Sequence, residues 1–124
     1  MKKKTWEKSP QKLIDSFYCV MESFPDAELR KMFGYPCAFF NGNMFVGLHE
    51  NNIAVRLSIK DREEALHEGW GKVFAPMADR IMKEYVVLSE VLLENLDRPR
   101  EVVEKSFSYV QTLPVKAKKT VRKK

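Results

Sequence analysis

The chain has 124 residues, 44% of them apolar, which suits one domain with a packed core. No apolar run approaches the roughly 20 residues of a membrane-spanning helix. The start Met1–Lys4 lacks the apolar stretch of a secretory signal, and two cysteines make no disulfide framework, so the expected location is cytoplasmic.

The net charge of +5 is terminal. Lys2, Lys3 and Lys4, with Lys116, Lys118, Lys119, Arg122, Lys123 and Lys124, account for nine cations. Residues 5–114 keep thirteen basic against seventeen acidic side chains, a net −4. The expected organisation is a basic arm at 1–9, a folded domain at 10–114 and a disordered basic tail at 115–124.

In chain order, Ser9-Pro10 reads as the start of a helix, with serine as N-cap and proline at the first helical position. Leu13, Phe17 and Met21, with Ile14, Tyr18 and Val20 beside them, make its apolar stripe, and Pro25 stops it. Glu28–Met32 fits a first strand leading into Gly34. Pro36 suits a strand start or edge, where no ladder donor is needed.

Residues 31–58 are the organising stretch. Asn41-Gly42 between apolar runs is a strong hairpin signal, because both turn residues accept φ > 0. With Asn51-Asn52 as a second turn, Pro36–Phe40, Asn43–Glu50 and Ile53–Ser58 form an antiparallel meander. Two-residue loops pair Phe39 with Met44, Cys37 with Val46, Leu48 with Val55 and Val46 with Leu57. One face then carries Cys37, Phe39, Met44, Val46, Leu48, Ile53, Val55 and Leu57 as the core. The other carries Ala38, Phe40, Phe45, Gly47, His49, Ala54, Arg56 and Ser58. A three-residue second loop would flip the third strand.

Ser58 and Asp61 have capping-box spacing before a helix at Lys60–Glu68, which Gly69 ends. Trp70–Phe74 reads as a brief strand, Ala75-Pro76-Met77 as a turn, and Arg80–Leu88 as the last strand. Ser89 caps a short helix to Asn95. The final helix runs from Asp97-Arg98-Pro99 to Thr112, with Val102, Val103, Phe107 and Val110 inward, and Pro114 closes the domain. Helix, strands, helix, strands, helix is the order of an α+β two-layer sandwich, an antiparallel sheet with helices on one face.

No cluster here amounts to a catalytic site. Cys19, Cys37, His49 and His67 lack zinc-ligand spacing, and both cysteines fit burial better than an accessible thiolate. Glu63, Glu64 and Glu68 fit a solvated helix face. The five glycines form neither GxGxxG nor a P-loop. The expectation is no enzyme, no metal and no cofactor.

Lys31-Met32-Phe33-Gly34, Gly42-Asn43-Met44-Phe45 and Val55-Arg56-Leu57 together resemble the N-terminal domain of the TfoX/Sxy family. Pro76-Met77, Arg80, Met82 and Glu84-Tyr85-Val86-Val87-Leu88 resemble the second block of its small single-domain members. The similarity spans residues 10–114; Ala78-Asp79 replace a more glycine-rich turn. The resemblance implies a two-layer α+β domain without established catalytic residues; in the longer family members, which carry a second, C-terminal domain, it implies a link to regulation of natural competence in bacteria.

The first reading is therefore a non-catalytic regulatory module binding a protein partner or a second copy through Phe40, Phe45, His49 and Arg56. Large apolar groups on a polar face mark such sites. The second is weak, sequence-independent nucleic-acid association through the tail cations. A small enzyme using Arg56, His49 or Tyr85 ranks third.

Overall fold

A computed structural model describes residues 7–75, 81–88 and 95–115. In chain order these form helix α1 (Gln11–Met21), strands β1 (Glu28–Met32), β2 (Tyr35–Phe40), β3 (Asn43–His49) and β4 (Asn52–Arg56), helix α2 (Ile59–Glu68), strands β5 (Gly71–Val73) and β6 (Tyr85–Leu88), and helix α3 (Asp97–Gln111). All six strands pair antiparallel in the order β1-β2-β3-β4-β6-β5. The fold is α+β, with the expected alternation of helices and strands.

The core lies between one sheet face and the helices. Leu13, Phe17, Val20 and Met21 of α1, Ala65 of α2, and Val102, Val103 and Val110 of α3 pack against Val46, Leu48, Ile53, Val55, Leu57, Val86 and Leu88. The apolar stripe of α1 is as its spacing implies, except that Tyr18 is exposed. Cys19 is also exposed, contrary to its expected burial: it sits on the flank that the stripe leaves to solvent.

The α1 start differs from the expected cap. Pro10 occupies the N-cap position without a side-chain cap. The Ser9 hydroxyl is spent elsewhere, donating to the Glu50 carbonyl in the β3–β4 turn. The Glu7 amide donates to the Glu50 carboxylate at 2.9 Å, so residues 7–9 form a strap over that turn. At α2 the expected cap is present: Ser58 Oγ accepts from the Asp61 amide at 3.2 Å, and Gly69, at φ 85°, ends the helix.

The β2–β3 turn has Asn41 at φ 52° and Gly42 at φ 81°, and Phe39 faces Met44 as the hairpin requires. The next pair is Ala38 with Val46, so Phe45 is a bulge residue. Two neighbours then share one side and the alternation restarts out of phase. This overturns the Cys37–Val46 pair: Cys37 faces Gly47 and points away from the helices, while Ala38 joins the core. The second turn is Glu50-Asn51, closed by His49 opposite Asn52, in place of Asn51-Asn52. Val46 pairs with Val55 and Leu48 with Ile53. A slip of two residues keeps every β4 side chain on its expected face.

β5 and β6 are shorter than the expected strands. Arg80, the Pro76-Met77 turn, the Ser89-capped helix and the tail cations lie outside the described residues. No helix among the described residues is long and apolar enough to cross a membrane.

Candidate interaction site

The sheet face turned away from the helices carries small side chains at its centre, Cys37, Gly47 and Ala54. Cys37, Gly47, Ala54, Val87 and Lys72 stand opposite one another across β2, β3, β4, β6 and β5. Gly47 leaves the lowest point of that row. A Cβ there would lie 3.0 Å from Cys37 Cβ and 3.1 Å from Met44 Cε. Tyr35 and His49 rise on one side of the row, and Met44, Tyr85 and Arg56 on the other.

Phe74, just past β5, folds over this floor against Ala54 and Val87. Its ring lies 5.5 Å from that of His49 and 6.4 Å from that of Tyr85. Between Phe74 and the β1–β2 hairpin lies an apolar groove of about 190 Å³, bordered by Met32, Tyr35, Cys37, Met44, Met82 and His49. On the other side of Phe74 a more polar hollow of about 300 Å³ is lined by Glu50, Asn52 and Lys72.

Tyr85, Cys37 and Arg56, beside the groove, are held by hydrogen bonds or an ion pair. Tyr85 Oη donates to the Met44 carbonyl at 3.1 Å, and burial pushes its pKa up to about 12. The Cys37 thiol contacts the Arg30 carbonyl at 3.5 Å, and burial raises its pKa as well. It is therefore held as a thiol, away from the thiolate that nucleophilic chemistry needs. Arg56 binds Glu84 at 2.7 Å and is partly covered. His49 is buried, its ring 5.4 Å from that of Tyr35. Among the described residues no three His, Cys, Asp or Glu side chains gather as metal ligands.

The four residues expected to share one partner surface are split. Phe45 is fully buried on the helix side, where its ring lies 5.3 Å from that of Phe107 and 6.4 Å from that of Phe24. Phe40 is half-buried beneath the same helix, 5.0 Å from Phe107. The bulge and α3 take both rings into the core, which corrects their reading as exposed apolar groups. His49 and Arg56 do belong to the open face. Sequence reasoning missed Met32, Met44, Phe74 and Met82 as groove residues. Only the small residues Cys37, Gly47 and Ala54 hint at it, and they line up only once the bulge is known.

Among curated proteins none matches the chain. The model of the TfoX N-terminal domain, a non-catalytic domain family, matches residues 20–109. The match runs from the last turn of α1 through the whole sheet and into α3. Covering well over half of the chain, it establishes that the protein belongs to the TfoX N-terminal domain family.

Proposed function

We propose that the protein is a non-catalytic interaction module in a regulatory assembly, and that its open sheet face receives an apolar side chain of a protein partner. The observation that carries this reading is the groove beside Phe74. Its volume of about 190 Å³ suits a single large side chain better than a metabolite, since sites for drug-sized ligands start near 300 Å³. Met32, Met44 and Met82 give it thioether walls that adapt to different apolar shapes. The Cys37 thiol and Tyr85 phenol, held neutral by burial, and Arg56, paired with Glu84, suit binding and not bond-making.

Met32 and Met82 are partly exposed at the groove mouth, so replacing both with glutamate leaves the core intact. Capture from the native cell by the wild-type chain and by Met32→Glu/Met82→Glu, side by side, tests the reading. The expected result is an unchanged melting temperature and loss of the captured protein. An identical captured set from both chains overturns it.

A second reading gives the terminal cations a role on nucleic acid. Asn43 Nδ2 donates to the Pro114 carbonyl at 3.1 Å, which fixes the point beside the β2–β3 turn from which six cations follow. Phosphate contacts of that kind are sequence-independent and steeply weakened by salt. Truncation after Pro114 is expected to abolish such binding without changing the melting temperature. Retention of DNA by the truncated chain at about 0.2 M salt, where phosphate contacts weaken, excludes the tail as its cause.

A further inference from the structure

The outer edge of β1 is a surface separate from the groove. β1 ends the sheet, and all five of its residues are exposed, Leu29 by 47%. Its hairpin with β2 turns at Phe33-Gly34, with φ of 56° and 85°, and closes on Met32 opposite Tyr35. Antiparallel ladders alternate hydrogen-bonded and non-bonded positions. Counting back from that closing pair, Met32, Arg30 and Glu28 direct their amides and carbonyls to β2, and Leu29 and Lys31 direct theirs outward.

We infer that β1 pairs antiparallel with β1 of a second copy, about a twofold axis at Leu29. Such an axis, perpendicular to the sheet, keeps both copies on the same faces, so the strands can be centred only on a residue. Centring on Glu28, Arg30 or Lys31 sets a like charge against itself, which is destabilising. Centring on Met32 leaves the rest of the strand unpaired. Centring on Leu29 exchanges two backbone hydrogen bonds at Leu29 and sets Glu28 opposite Arg30 twice. Those two pairs occupy non-bonded positions, where facing side chains come closest.

The charges are already aligned for this. Arg30 and Glu28 share a face, with Nε and Oε2 2.9 Å apart, and the Arg30 guanidinium lies 4.9 Å above the Phe39 ring. Lys31, a residue type that commonly guards strand edges, falls opposite Ala27 and meets no cation. The product is a continuous twelve-stranded sheet with the helices of both copies on one side. An edge this short buries less than the roughly 1,200 Å² of a standard stable interface, so the dimer is concentration-dependent.

Sedimentation equilibrium of the full chain at concentrations up to about 1 mM, where weak association is measurable, tests the inference. The expected result is a reversible dimer that Glu28→Arg dissociates and that Glu28→Arg/Arg30→Glu restores. In a Cys19→Ser background, Leu29→Cys should form a symmetric disulfide dimer under mild oxidation, while Lys31→Cys should not. This arm decides the matter if the double reversal fails to fold by circular dichroism. A chain that stays monomeric throughout overturns the inference. So does a dimer that the single reversal leaves intact or that the folded double reversal does not restore.

Discussion

The Ser106 hydroxyl of α3 donates a hydrogen bond of 2.9 Å to the carbonyl of Phe45, and Ser106 is completely buried. A bulge takes one residue out of the regular ladder, and its backbone groups need another partner. Here the helix that covers the bulge provides one. Ser106→Ala removes the donor and leaves that carbonyl unsatisfied in the core. The expected loss is about 1–3 kcal/mol in a urea titration, with the m-value unchanged.

Phe45 itself is expected to behave as a core residue. Phe45→Ala empties the space between Phe24 and Phe107 and should cost about 3–5 kcal/mol. The measurement is the loss or large downward shift of cooperative thermal unfolding. A Phe45→Ala chain that keeps its melting temperature and loses only a binding partner would restore the ring to the surface.

The two thiols should separate cleanly. Cys19 is exposed and Cys37 buried, so a disulfide reagent is expected to titrate Cys19 in the native protein and Cys37 only after denaturation. The Cys19→Ser chain should therefore be unreactive until it unfolds. Prompt native reaction of Cys37 would place it outside the covered row beside Gly47.

Tyr85 gives the fold a defined alkaline limit. Its folded pKa of about 12 lies above the ordinary value of 10.0 because burial favours the neutral phenol. The folded state thus holds this proton more tightly than the unfolded chain. The resulting stability is fully present below pH 10 and is lost as pH rises from 10 to 12. Melting temperatures across that interval should fall by the equivalent of roughly 1–3 kcal/mol, and Tyr85→Phe should flatten this part of the curve.

Gly47→Ala is expected to cost about 1–3 kcal/mol, the range for overpacking. Its new methyl meets Cys37 Cβ at 3.0 Å, a neighbour fixed by its own backbone, as well as the mobile end of Met44. Denaturant titration of the single variant, compared with Gly47→Ala/Met44→Ala, reads how much relief the flexible neighbour can supply. Equal stability of wild type and Gly47→Ala would show that the floor of the groove is not tightly set.

Turn chemistry and helix patterning made much of the fold legible. Asn41-Gly42 placed the central hairpin, Ser58 and Gly69 bounded α2, and the valines of α3 pointed to its buried side. Strict alternation failed between Met44 and Val46, because a bulge has no obligatory residue type and Phe45-Val46 reads like any strand pair. The groove was less legible still. It depends on β6 lying between β4 and β5, which no local pattern encodes, and on Phe74 closing over residues about twenty to forty positions earlier. The Ser9 hydroxyl likewise had two chemically equal uses, and only the proximity of Glu50 decided between them.

The bulge also bears on how related chains are to be compared. Insertions and deletions of one residue are ordinarily tolerated in surface loops and not in strands. At Phe45 the extra residue is already present, so a relative one residue shorter between Met44 and Val46 could still form the hairpin. In that relative the ladder would run from the Phe39–Met44 pair straight to Ala38 with Val46 and Cys37 with Gly47, and Cys37 would stay on the open face. A single alignment gap at this point is therefore silent for the sheet: it removes the bulge and leaves the same β2 side chains on the open face.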